Sequence, residues 1–322
     1  SDWSNELSFY YNENNFAIYI ASGDEIRKLN PEGNTAQTIY QSDGVINSMD
    51  IDSSRNIYTG HTTGGITKKF NSSGVEQWKI NTGGRTVGGI VYDSATDSVF
   101  TAGGTFDETI RKLNANDGTE ATNDNWPINT GKGLKSIAVN DLHVYTGGES
   151  KLRRFSKTNG SETTNTDWPY YYTTGTNYFY DIIFDGNSTF FVASDDSVGG
   201  RLKRISVSGN ISWEADVGTI YAIGYSPNTN TVYAGGYQGK LSKVTSYTSS
   251  ATIEWTVILG LNIPWYGGSN RQPNIDAIAT DPDGNCFVVA STFIMKLDPS
   301  GNKVWSKEYS NGGINDIAVI QN

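Results

Sequence analysis

Apolar residues fall along this chain in short runs broken by polar turns, and the runs are of three kinds that follow one another in fixed order. The first kind reads "INSMDID", "VGGIVYD", "LKSIAVN", "FYDIIFD", "IYAIGYS", "IDAIATD" and, at 314–320, "INDIAVI". Its fourth position is always apolar: Met49, Ile90, Ile137, Ile182, Ile223, Ile278 and Ile317. The second kind reads "NIYTG", "SVFTAGG", "HVYTGG", "TFFVAS", "TVYAGG" and "CFVVAS", rich in the aromatic and β-branched residues that suit a pleated strand. The third is a hairpin that turns at Gly or Asn and ends in tryptophan, as in "KKFNSSGVEQW", "KRISVSGNISW" and "KLDPSGNKVW". No long apolar pattern of helical period competes with these runs.

The tryptophans Trp78, Trp126, Trp168, Trp213, Trp255 and Trp305 stand 42 to 50 residues apart, and the first copy, "RKLNPEGNTAQTIY", ends in Tyr40 instead. Each unit therefore predicts four short strands, A to D, with D carrying the tryptophan. Four strands on such a period indicate a β-propeller. Counting D strands gives an all-β, seven-bladed ring as a single domain, 1–322. The blades fall near 7–44, 45–85, 86–133, 134–178, 179–219, 220–274 and 275–313. The last A-type run has no B, C or D strand after it, whereas the first blade lacks a good A strand. The expected solution is that 314–320 becomes the innermost strand of blade 1 and closes the ring; the alternative gives that place to "LSFYY", residues 7–11. Closure removes an unpaired edge.

Strand D is the outer edge of its blade. Two of the tryptophans precede proline ("WPIN", "WPYYY"), which lacks the N–H that a central strand needs. A tryptophan at that edge can lie across the seam on the next blade. Burying ~200 Å² of aromatic surface at ~25 cal/mol/Å² gives an upper bound of about 5 kcal/mol per site.

The composite pattern "vYxGGxxGxLxKLDxxGxxxW" resembles the PQQ-like (quinoprotein-like) propeller repeats with their tryptophan-docking motif, over nearly the whole chain. Kelch repeats share the double glycine and a later tryptophan. Here Gly103-Gly104, Gly147-Gly148 and Gly235-Gly236 fall in expected B–C turns, and "LDPSG" fits the PQQ-like pattern better. The resemblance implies fold more than function, because such repeats serve enzymes, outer-membrane assembly factors and surface adhesion modules. Its enzymes clamp the quinone between a tryptophan and a disulfide of adjacent cysteines, with calcium and a catalytic Asp, in eight larger blades. A chain with one cysteine, Cys286, cannot build that clamp. PQQ is therefore not expected, and the resemblance points to a non-enzymatic member.

Composition narrows the classes further. There are 34 acidic against 24 basic residues, a formal net charge of −10, and no basic run of the kind that neutralises a phosphate backbone. Nucleic acid is a poor partner on that count. No stretch approaches the length of an apolar membrane span, and "SDWSNELS" does not read as a signal peptide. The acidic, cysteine-poor composition, rich in Gly, Thr, Asn and Tyr, resembles microbial surface proteins and bacteriophage virion proteins. An extracellular or virion-associated monomeric domain with a protein or glycan partner is the expectation.

Catalytic sets are thin. His61 and His143 fall in different blades without a nucleophile motif beside them. "DPDGN" (281–285) lacks the remaining ligands of a calcium loop and serves as an A–B hairpin turn. No catalytic residue and no metal ligand is assigned. In a propeller the D–A and B–C loops share the face from which strand A starts beside the channel. Positions two and three of the A motif put Asn47, Asp181, Asp276, Asn315 and Asp316 there. These could hold a channel-bound cation or accept sugar hydroxyls, or simply line a hydrated polar channel. Two loops on that face break the repeat. "LGLNIPWYGGSNRQPN" (259–274) carries Trp265, Tyr266 and Arg271, and "PYYYTTGTNYFY" (169–180) carries Tyr171, Tyr172 and Tyr180. Aromatic residues with arginine on an insertion suit a binding surface; local packing between blades is the alternative. Two function classes follow: a non-enzymatic binding or structural module, and a carbohydrate-active or other small-molecule enzyme using the channel-mouth carboxylates.

Overall fold

The structure is a computed structural model that describes residues 16–40, 44–82, 84–104, 106–165, 167–171, 178–186, 188–196, 199–261, 263–264, 270–309 and 312–321; for residues 40, 171, 196, 263–264 and 270–271 only the backbone is described. Seven four-stranded antiparallel sheets form the blades of a β-propeller. In blades 2 to 7 each sheet is a meander in sequence order, beginning with an inner strand: Ile46–Ile51, Val87–Asp93, Leu134–Val139, Tyr178–Phe184, Ile220–Ser226 and Ala277–Thr280. Blade 1 differs. Its strands Phe16–Ser22, Glu25–Leu29 and Thr35–Tyr40 take their inner neighbour from the far end of the chain, Ile314–Gln321. The pairing runs from Phe16 opposite Gln321 to Ser22 opposite Ile314. Closure by the C-terminal strand is thus the observed arrangement, and residues 7–11 lie outside the described residues.

The core is distributed. Seven clusters of buried apolar side chains each span one seam between neighbouring blades. At the closing seam Phe16, Ile18, Ile20 and Leu29 of blade 1 pack on Ala277, Phe287, Val289 and Ile294 of blade 7, joined by Ile314 and Ile317 from the closing strand. The always-apolar fourth position of the first run supplies a buried residue to each of these seams. Second strands are buried on both faces, as Ile57–His61, Ser98–Gly103 and Cys286–Ala290 illustrate.

The seam also holds the tryptophans. Trp78 donates its indole N–H to the Ala115 carbonyl of the next blade at 3.0 Å, Trp213 to Tyr247 at 3.0 Å, Trp255 to Pro299 at 3.2 Å and Trp305 to Pro31 at 3.1 Å. The accepting carbonyl lies in the hairpin turn that precedes the neighbour's outer strand, and the ring packs beside it. A Cβ on Gly118, at φ +75°, would stand 2.9 Å from the Trp78 ring, so this turn glycine serves both the left-handed backbone and the close approach.

Two local expectations are corrected. In blades 3 and 4 the tryptophan is not inside the outer strand: Trp126 and Trp168 precede strands of two residues, Ile128–Asn129 and Tyr170–Tyr171. The proline after each tryptophan has no N–H to give the ladder, so pairing starts beyond it. The paired glycines, too, are not simply turn residues. Gly147-Gly148 and Gly235-Gly236 are the last residues of second strands, and Gly103 ends another. A Cβ on Gly147 would lie 2.8 Å from the Phe179 Cβ, and one on Gly235 would lie 2.7 Å from Ile275. Missing side chains there let the start of the next inner strand close against the blade.

Candidate functional site

The site begins with a backbone irregularity. In six of the seven blades the inner strand starts in register with its neighbour, skips one residue and resumes. Ile46 pairs His61 and Ser48 pairs Gly60, leaving Asn47 bulged. The same shift skips Gly88, Lys135, Tyr180, Tyr221 and Asn315 in the register of their blades. Asp276 holds the corresponding motif position in blade 7. A bulge re-aims its side chain. All seven of these residues line one channel cavity of about 210 Å³. Blade by blade from blade 1 the ring reads Asn315, Asn47, Gly88, Lys135, Tyr180, Tyr221 and Asp276.

Above the ring the channel opens into a wider mouth of about 550 Å³. Thr62, Gly104 and Phe106 from turns after second strands, and Arg85 and Thr86 from the connection into blade 3, form its rim together with Asn47, Lys135, Tyr180, Asp276 and Asn315. Arg85 stacks on the Phe106 ring at 4.8 Å, and Phe106 is 73% exposed. Its φ of 79° is unusual for a residue other than glycine.

Polar groups below the mouth are committed to the scaffold. Adjacent inner strands do not pair through their backbones; side chains bridge them. Asp316 Oδ2 accepts from the Met49 N–H at 2.7 Å, Asp181 Oδ2 from the Ile223 N–H at 2.9 Å, and Asp50 Oδ2 from the Tyr92 N–H at 2.6 Å. The other oxygen of each accepts the N–H of its own following residue, at 2.8 Å in all three cases. Ser48 does the same for Ile90 at 3.1 Å. One step higher, Asn47 donates to the Val87 carbonyl at 2.9 Å and Asn315 to the Ile46 carbonyl at 2.7 Å. Removal from water pushes the Asp50 and Asp181 carboxyls up to about 6 and Asp316 up to about 7, against the lowering by their N–H partners.

Asp276 is different. It is exposed at the mouth, among the described residues accepts just the Ser291 N–H at 3.1 Å, and burial of its carboxyl against the channel wall raises it above the ordinary range. The Tyr180 phenol is pushed up to about 12, by burial first and then by the Asp195 charge, and stays protonated as a donor.

Of the residues singled out from sequence, the structure gathers Asn47, Asp276 and Asn315 at the mouth with Tyr180, and puts Asp181 and Asp316 one step deeper, on backbone amides. Tyr172, Trp265 and Tyr266 lie outside the described residues, and of Tyr171 and Arg271 only the backbone is described. The latter pairs Ile263 in the short hairpin Ile263–Pro264/Asn270–Arg271 within the long connection. The histidines are scaffold: buried His61 ends a second strand, its Nδ1 3.2 Å from the Gly44 carbonyl, and His143 begins another. In the "DPDGN" turn Asp281 Oδ1 accepts the Asn285 N–H at 2.9 Å and Oδ2 its side-chain amide at 2.7 Å. Among the described residues no cluster of His, Cys, Asp and Glu could hold a metal ion, and no helix is long and apolar enough to cross a membrane.

Sequence reasoning missed Lys135, Tyr221, Arg85 and Phe106. The signal for the first two was present: position two of the inner-strand run changes chemical class from copy to copy while position four stays apolar.

No protein-family model and no curated protein matches this chain.

Proposed function

We propose that the protein is a non-enzymatic binding module that takes a glycan into its channel mouth. The observation behind this reading is the ring of seven residues, one from the start of each inner strand and six of them bulged, whose polar side chains (all but Gly88) converge on an open cavity with unsatisfied hydrogen-bonding capacity. Asn47 and Asn315 spend their amide N–H groups on backbone carbonyls and keep their Oδ1 atoms for a ligand. A convergent set of acceptors and phenolic donors around a small cavity suits the many hydroxyls of a saccharide.

The enzyme alternative has less support. Glycoside hydrolysis uses two carboxyl groups facing one bond. Among the described residues lining the mouth, Asp276 is the one carboxylate, and the acids beneath it are occupied by backbone amides. An extracellular or virion-associated setting belongs to the same reading and is supported by the acidic, Gly/Thr/Asn/Tyr-rich composition. Membership of the PQQ-like propeller repeats belongs to it as well, on the strength of the repeat motifs.

A glycan screen with the intact chain, followed by Asn47→Ala and Asp276→Ala, tests the proposal. The expected result is binding that drops at least ~10-fold in either variant, with no cleavage of the bound glycan by the wild type. Turnover that disappears in Asp276→Ala would establish the enzyme instead.

A further inference from the structure

The charges at the mouth are not evenly spread. Arg85 and Lys135 are both exposed and border the cavity from blades 3 and 4, and among the described residues neither meets a carboxylate. Arg85 is held by its stack on Phe106 rather than by an ion pair. Asp276 borders the cavity from blade 7. In a ring of seven, blade 7 stands opposite the seam between blades 3 and 4, so the two cations face the carboxylate across the channel. The chain as a whole carries a net charge of −10. Two unpaired cations side by side at the mouth of so acidic a protein form a local exception to that charge.

Resting on the binding reading above, we propose that the ligand is a saccharide bearing a carboxylate, of the uronic or sialic acid type. Its carboxylate lies against Arg85 and Lys135, and its hydroxyls reach across to Asp276 and to the Oδ1 atoms of Asn47 and Asn315. Guanidinium and ammonium groups form charge-assisted hydrogen bonds to a carboxylate. The exposed Phe106 ring, already stacked on Arg85, offers an apolar face to the C–H side of a sugar ring. An acidic peptide could satisfy the cations but brings few hydroxyl donors for the acceptors opposite. A neutral saccharide could satisfy the acceptors but would displace water from two cations without giving either a charged partner.

Binding of four probes to the intact chain decides the matter: an oligogalacturonide, its methyl ester, sialyllactose and lactose, with poly-glutamate as a fifth. The expected result is that at least one carboxylated sugar binds ~10-fold or more tighter than its neutral counterpart, and that this margin shrinks as salt rises from ~0.05 to ~0.5 M. Arg85→Ala and Lys135→Ala should each remove most of the margin. Both residues are exposed, so an unchanged melting temperature certifies the fold. Equal binding of charged and neutral sugars, with both variants silent, overturns the carboxylate assignment while leaving glycan binding intact. Poly-glutamate binding more tightly than every sugar overturns it in favour of an acidic protein partner. No binding of any saccharide overturns this proposal and the binding reading together.

Discussion

At the scale of single residues, the seam tryptophans form an internal control. Five of the six donate their indole N–H to a carbonyl of the next blade, and Trp126 does not: its Nε1 is buried and has no partner among the described residues. The corresponding carbonyl, that of Lys157, accepts from Lys112 Nζ at 3.2 Å, just as the Ala115 carbonyl accepts from Lys69 Nζ at 2.8 Å beside the Trp78 indole, so a competing cation is not what sets Trp126 apart. Replacing tryptophan by phenylalanine removes similar apolar area at either site, so the difference isolates the hydrogen bond. Trp78→Phe loses a bond whose net worth is about 0.5–1.5 kcal/mol, and Trp126→Phe removes a buried donor that had no acceptor. Trp78→Phe should therefore be the more destabilising of the two by about 1–2 kcal/mol, read as a difference in urea denaturation midpoints. Equal losses would mean that the indole N–H contributes nothing at the seam. The tryptophans were legible in sequence because a large side chain recurring on a fixed spacing has a packing cause. Which of them lacked an acceptor was not, because that depends on how each ring is seated against the neighbouring turn, a matter of fractions of an ångström that spacing does not encode.

At the scale of the element, the inner strands combine a bulge with side-chain bridges, and only half of that was readable. Alternation marked the strands, and the fixed apolar fourth position marked their seam side. A bulge leaves no trace in alternation, so positions two and three read as equivalent. In the structure the bulged residue enters the channel, while the next reaches the neighbouring strand, as Asn315 and Asp316 show. These bridges carry a pH dependence. Asp50, Asp181 and Asp316 hold their protons more tightly in the folded chain, up to about 6, 6 and 7, than in the unfolded one. Their contribution to stability is full below the unfolded carboxyl range and is lost as pH rises through those values. For Asp316 the loss amounts to at most about 4 kcal/mol. Asp117 and Asp298, whose carboxyls are lowered, work in the opposite sense but at more acidic pH. Urea denaturation should show stability falling between pH 5 and pH 8. Asp316→Asn should flatten part of that slope, since an amide does not ionise. The variant should also be weaker than the wild type at pH 5, where its NH₂ faces one of the two N–H donors, with the gap narrowing toward pH 8. A wild type equally stable at both ends would refute the assignment.

At the scale of the whole molecule, stability rests on seven seams of similar construction, and a ring of seams is only as stable as its closure. The strand Ile314–Gln321 does three things at once. It pairs with Phe16–Ser22 along its length, it contributes Ile314 and Ile317 to the closing core, and it sends Asn315 and Asp316 to the first strand of blade 2. Among the described residues no other strand pairs so far along the chain, and the sequence disclosed it because a seventh run of the first kind had no strands after it. Deleting residues 314–322 should therefore cost more than loss of one strand. Phe16, Ile18 and Ile20 would lose part of their cover, Met49 and Ile46 would lose side-chain partners, and the core shared by blades 1 and 7 would lose Ile314 and Ile317. The truncated chain should be protease-sensitive and lack cooperative melting. A synthetic peptide of residues 314–322 added in trans should restore both, at a concentration set by its affinity for the open groove. The same peptide with Ile314→Ala, Asn315→Ala, Asp316→Ala and Ile317→Ala should fail to rescue, because its backbone pairing with blade 1 remains while these ties to the core and to blade 2 are gone. Rescue by that substituted peptide would show that backbone pairing closes the ring without them.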